Sequence, residues 1–247
     1  MKFLIVFLLT LSSAYAKDIV LTSDNTVSLN EPVSDESVGA VMLELNSLSK
    51  IGNEQDPIYL ILNTPGGSVS AGLDLMQYMN TLRRPVHSVA NFAASMGFHI
   101  LQASPIRYVT EFATVMSHQA YSSFQGSLPG QAMSRLNRVI SLIEKMDEKV
   151  IARTKGKFNK KTYAALVHDE YWVIGKDTIK DGFADEVAFL KCDASLDGTV
   201  EKEIQVFIFT AKVKFSKCPL ITSPIIEDES KKEAITAFLK TVKGLEL

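Results

Sequence analysis

Ser95 stands in the run Ala93-Ala94-Ser95-Met96-Gly97, a lone hydroxyl among small and apolar neighbours. Small neighbours allow close backbone approach, and a helix beginning at this serine would aim its first N–H groups at an oxyanion formed beside it. Alone, it reads as an ordinary N-cap serine. Thr64-Pro65-Gly66-Gly67-Ser68 follows directly on an apolar run. Two successive glycines let the backbone turn sharply and present N–H donors to a bound carbonyl. Neither G-x-x-x-x-G-K-[ST] nor G-x-G-x-x-G occurs, which counts against a phosphate loop and leaves a plain tight turn as the alternative. His118 follows Met116-Ser117 and is one of 4 histidines. Imidazole exchanges its proton near neutrality, as a general base for serine must. Asp169, in His168-Asp169-Glu170-Tyr171-Trp172, could hold the tautomer of such a base and stabilise its imidazolium. Each residue singly has a bland structural explanation; together they hold the parts of nucleophilic acyl transfer.

The elements around these residues are legible from periodicity. Residues 26–29 (TVSL) read as a strand, and residues 34–37 cap a helix with Val38, Val41, Met42, Leu45 and Leu48 at helical spacing. Residues 58–62 (IYLIL) form a continuous apolar run, as a strand buried on both faces requires. A helix is expected over 69–82, a strand over 85–90, a buried helix over 93–103 and a short strand over 114–116. Residues 131–155 make the longest helix, with one broad apolar stripe through Met133, Leu136, Val139, Ile140, Ile143, Met146, Val150 and Ile151. Such a helix could protrude onto a neighbouring subunit or pack on its own core. A short helix and a strand-like end are expected over 173–187, one or two strands over 203–215, and a terminal amphipathic helix over 230–242. Alternating strands and helices argue for α/β layers with right-handed crossovers.

Composition narrows the class. The chain has 247 residues, 46% hydrophobic and 22% charged, which is globular stock and excludes disorder and a multi-span membrane protein. Twenty-six basic against 28 acidic residues leave a net charge of −2, so nothing in the balance points to nucleic acid. Lys2, the apolar run 3–11 and the small-x-small Ala14-Tyr15-Ala16 resemble a cleavable signal peptide over 1–16, too short to serve as a stable membrane anchor. Export to a periplasmic or extracellular space is therefore expected. In that setting the 2 cysteines, Cys192 and Cys218, are expected to form a disulfide that ties down the C-terminal tail. The expected organisation is a signal peptide over 1–16, a catalytic domain over 17–190 and an appendage over 191–247.

The order and spacing of these pieces resemble the Clp-type serine peptidases, within the wider fold group that includes crotonases and signal peptide peptidases. The carriers are residues 58–69 (IYLILNTPGGSV), residues 93–97 (AASMG), His118-Gln119, Phe124-Gln125-Gly126 before the long helix, Asp169 ahead of an aromatic pair, and residues 181–185 (DGFAD). The resemblance covers about residues 26–187. It implies an α/β spiral of β-β-α units with a protruding long helix, plus a small C-terminal α+β appendage. Carried across, it makes Ser95 the nucleophile, His118 the base and Asp169 the carboxylate that orients it. Gly67 and Met96 supply the oxyanion-hole N–H groups, and Ser68 and Val69 begin the edge along which a peptide pairs as an added strand. The implied reaction is hydrolysis of peptides or unfolded polypeptides through an acyl-enzyme, in a homo-oligomer, without metal or organic cofactor.

Departures from the family pattern shape the rest of the expectation. A signal peptide separates the chain from ATP, only residues 17–25 precede the first family-like strand, and His168 stands where an arginine often sits. The tail from Lys191 has no counterpart. These point to an exported relative working without an ATPase unfoldase. Asp177, Asp181 and Asp185 are competing acids for the third catalytic position. The rivals are a crotonase-like acyl-CoA enzyme, a Ser–Lys enzyme in the manner of signal peptide peptidases, and a catalytically inactive scaffold.

Overall fold

The computed structural model describes residues 16–121, 123, 126–206, 209–226 and 231–243. The expected signal peptide, apart from Ala16, and Phe124-Gln125 lie outside the described residues. In chain order the elements are β1 (Lys17–Leu21), β2 (Thr26–Leu29), α1 (Asp35–Ser49), β3 (Ile58–Thr64), α2 (Val69–Met79), β4 (Val86–Ala94), α3 (Met96–Ala103) and β5 (Arg107–Ser117). There follow α4 (Gly130–Arg153), α5 (Lys160–Leu166), β6 (Tyr171–Ile174), α6 (Asp177–Lys180), β7 (Glu186–Cys192), β8 (Thr199–Val206), β9 (Phe209–Ser216) and α7 (Lys232–Lys243).

Seven strands form one sheet in the order β1-β7-β5-β4-β3-β2, all pairs parallel, with β6 added antiparallel to β5. Strand β3 shows why: Ile58, Leu60, Ile61 and Leu62 are all buried, so both faces of the strand must be covered. One face packs under α1, α2 and α3, where Val38, Val41, Leu45, Leu75, Phe98 and Leu101 share a core with Leu60 and Leu62. The other face holds Ile19, Ile61, Val89 and Tyr108 and is closed by Leu196 and Cys218 from the C-terminal segment. Each such side chain removed from water stabilises the fold by roughly 1.5–3 kcal/mol. Cys192 and Cys218 are joined in a disulfide, Cα atoms 5.9 Å apart. It pins the segment that follows the β8–β9 hairpin to the end of β7.

Three expectations change. The buried helix expected over 93–103 begins only at Met96, because Ala93 and Ala94 stay in β4, paired with Val115 and Met116 of β5. A strand buried on both faces has the same apolar continuity as a buried helix, so periodicity cannot separate them. The strand expected over 114–116 is β5, Arg107–Ser117; the polar pair Thr110-Glu111 at its centre interrupts the apolar signal. Lys17–Leu21, unassigned from sequence, pairs with β7 because only Ile19 and Leu21 turn inward.

Helix α4 buries only Met146 and Val150 along its 24 residues, and Met133, Leu136 and Ile140 are exposed. At 1.5 Å per residue it extends for about 36 Å. Both buried residues fall in its C-terminal half, and its N-terminal half is largely exposed.

Candidate active site

Ser95 lies between the end of β4 and the start of α3, at φ 54° and ψ −119°. This is a region that L-residues rarely enter, and it persists where the surroundings over-determine it. The determinants are backbone contacts. The Ser95 N–H donates to the Met116 carbonyl at 2.9 Å, and its own carbonyl accepts from the Phe98 N–H at 3.0 Å. Gly66, at φ +92°, runs so close alongside that a Cβ on it would fall 2.6 Å from both the Ala94 carbonyl oxygen and the Ser95 Cβ. The glycine pair therefore serves close approach as well as turning. It is held in place by Val33, whose N–H donates to Gly66 O at 2.8 Å and whose carbonyl accepts from the Ser68 N–H at 2.8 Å.

The forced turn points the serine Oγ at His118, whose Nε2 lies 2.7 Å away. His118 comes directly after Ser117, the end of β5, so the parallel neighbours β4 and β5 bring Ser95 and His118 together from adjacent strand ends. The hydroxyl can donate to an unprotonated Nε2, the arrangement of a serine and its general base. Met96 is the first residue of α3, where an N–H has no intrahelical acceptor. The bridge to Val33 uses the carbonyl of Gly66 and the N–H of Ser68, leaving the Gly67 N–H out of it. Ser68 caps α2, accepting from the Ala71 N–H at 3.3 Å, and Val69 opens that helix at the cavity wall.

Asp169 is close in the chain fold but turned away. Ser117 pairs with Tyr171, and the Gln119 N–H donates to the Val167 carbonyl at 3.1 Å, so the two segments run side by side past His118. The Asp169 carboxylate instead meets the His168 Nδ1 at 3.2 Å, with 96% of its side chain exposed. Among the described residues no carboxylate is hydrogen-bonded to His118. The competing acids are committed elsewhere. Asp177 accepts from Lys180 at 2.6 Å, which holds its carboxyl below the usual range. Asp181 accepts from the Tyr171 hydroxyl at 2.7 Å. Asp185 is gripped by Arg107 Nε and Nη2 at 3.0 and 2.7 Å; burial alone would push its pKa up, but the hydrogen bonds and charge of Arg107 bring it down.

Ser95 and His118 open onto a cavity of about 260 Å³ between α3, α4 and α5. Its apolar wall includes Ile143, Met146 and Val167. Two titratable groups line it that the sequence did not single out, His99 and Asp147. Burial, and then the neighbouring His118, push the pKa of His99 down to about 4, so it is neutral at pH 7. Burial raises Asp147 to about 6. The available signal for Asp147 was its position: an acid at i+4 from Ile143 and three before Val150, on the apolar side of the long helix.

A family model described as Clp protease matches residues 12–191. Curated relatives are named ATP-dependent Clp protease proteolytic subunit. That of Streptococcus mutans serotype c is 32% identical over 170 residues, covering 68% of this chain and 86% of the relative. Those of Streptococcus equi subsp. equi and Streptococcus pyogenes serotype M5 are 33% and 32% identical, with the same coverage.

Proposed function

Because this chain belongs to the Clp protease family and is thereby a serine peptidase, we propose that it hydrolyses peptides or unfolded polypeptides through an acyl-enzyme on Ser95. The observation that carries this reading is the 2.7 Å contact between Ser95 Oγ and His118 Nε2, set at a strained strand-to-helix turn. Ser95 attacks the carbonyl carbon of the scissile bond while His118 takes its proton. The oxyanion then receives the N–H groups of Gly67 and Met96, and His118 returns the proton to the leaving amine. Water, activated by the same imidazole, releases the acyl group. Asp169 completes the set by rotating from His168 onto His118 Nδ1; the other nearby acids are held by Lys180, Tyr171 and Arg107. Ser68 and Val69 flank the entry of the substrate chain.

Export supports independence from an ATPase unfoldase. It rests on the leader-like residues 1–16 and on the Cys192–Cys218 disulfide, which suits an oxidising compartment. The exposed apolar residues of α4 support a homo-oligomer built across that helix.

Labelling of the full chain with a fluorophosphonate tests the reading. Ser95 is expected to be modified in the wild type, Ser95→Ala to abolish modification, and His118→Ala to slow it at least about a hundredfold. Labelling that survives His118→Ala would move the base to a lysine, although none lines the cavity among the described residues. A wild-type chain that never labels, in any assembly state, would leave the scaffold reading.

A further inference from the structure

The cavity beside Ser95 holds a carboxylate that peptide hydrolysis itself does not require. Asp147 lines it from α4, half-buried, together with Ile143, Met146 and Val167. It makes no hydrogen bond or ion pair with a described residue. The cation that acts on it, Lys160, is itself paired with Glu144 at 2.8 Å. A charge against an apolar wall is costly unless something pairs with it, and pairing is strongest when the partner brings hydrogen bonds as well as charge. A cavity of about 260 Å³ is small for a whole ligand and suits one long side chain.

Resting on the assignment of Ser95 as the nucleophile, we infer that Asp147 makes this cavity a site for a cationic side chain. It selects arginine or lysine in the residue whose carbonyl Ser95 attacks. The aliphatic stem of such a side chain lies along Ile143, Met146 and Val167 while its charged head reaches Asp147. A guanidinium fits a carboxylate through two parallel hydrogen bonds, which favours arginine over lysine. An apolar side chain would fill the same space and leave the carboxylate unpaired; an acidic one would be repelled. Selectivity of this kind is built by the unpaired buried group as much as by the attraction.

The test uses the full chain and two peptidyl diphenyl phosphonates that differ only in the terminal residue, arginine or leucine. Their rates of attachment to Ser95 are read by mass spectrometry. The wild type is expected to react at least tenfold faster with the arginine probe, and Asp147→Asn to reduce that ratio at least tenfold, with Asp147→Glu restoring part of it. A ratio that favours leucine in the wild type, or one that Asp147→Asn leaves in place, overturns the inference. A second measurement needs no catalysis: calorimetric titration of benzamidine, an amidinium probe, into Ser95→Ala and Ser95→Ala/Asp147→Asn, both checked for cooperative melting. Binding that weakens at least tenfold in the double variant supports the site; no binding, or equal binding, overturns it. If benzamidine binds through Asp147 in a chain that no phosphonate or fluorophosphonate labels, the cation site stands and the peptidase assignment falls.

Discussion

On the serine side of the cavity, backbone packs on backbone. Gly66 lies against Ala94 and Ser95, Val33 clamps the glycine turn, and the Ser95 N–H is tied to Met116. The carboxylates are held differently: among the described residues Asp169, at the surface outside the cavity lining, has only the exposed ring of His168 as a partner, and Asp147, on the α4 wall, has no hydrogen bond at all. Ser95 and His118 are positioned by contacts that one chain makes with itself, between parallel strand ends. On the proposed reading the acids depend on a partner that arrives later: His118 after a side-chain rotation for Asp169, a bound cation for Asp147. In the proposed mechanism, rigid elements position the reacting atoms and adaptable groups decide when and on what they act.

The largest effect should come from moving the flexible side. Asp169→Asn is expected to slow hydrolysis of a short fluorogenic peptide by about 10²–10⁴-fold, because the imidazole loses the group that fixes its tautomer. A loss below threefold would show that His118 works without Asp169 and would widen the contrast between the two walls. On the rigid side, Gly66→Ala should destabilise by about 3 kcal/mol, since φ is +92° and the added Cβ meets backbone at 2.6 Å. Gly156→Ala is the matched control: φ is +83°, but nothing lies within 4 Å, so only the conformational strain of about 1 kcal/mol remains. Equal melting temperatures for the two variants would break the claim that close packing holds the serine turn.

The smallest effect concerns pH. Burial raises the carboxyl of Asp147 from 3.8 to about 6, so the folded state holds this proton more tightly than the unfolded chain. The ionised group therefore costs stability. The cost is absent below the unfolded pKa, grows between pH 4 and 6, and is complete above it. The groups that set this balance are Lys160 from α5, which pulls the pKa down, and Glu144 one turn earlier on α4, which pushes it up. His99 and His118 border the same cavity. Because the side chain is only half-buried, solvent screening leaves about 1 kcal/mol of destabilisation at pH 8. Asp147→Asn should melt higher than the wild type by that margin at pH 8, with the gap closing at pH 4. A gap independent of pH would mean that the carboxylate is solvated.

Much of the site could be read from the chain itself because its parts are local. Gly66-Gly67, Ala93-Ala94-Ser95-Met96-Gly97 and His118 are short motifs whose residue types are dictated by close approach, by a helix start and by proton exchange near neutrality. The cysteines and the stripe of the long helix were equally open to inspection, and both the disulfide and the helix are present. What failed was local in a different sense. The end of β4 looked like helix because burial on both faces erases the period that distinguishes them, and β1 is a strand only because β7 lies beside it.

Residue type and order thus determined the family and singled out Ser95 and His118 as the proposed nucleophile and base, since each role needs a particular chemical group in a particular local backbone. Tertiary structure alone decided which acids are occupied by Lys180, Tyr171 and Arg107, where Asp169 points, and that Asp147 faces Ser95 across a shared cavity. Sequence spacing carries no information about which side chain from a distant helix faces a given strand end. That follows from how α4 packs against α3 and α5, a matter of shape and burial rather than of motif.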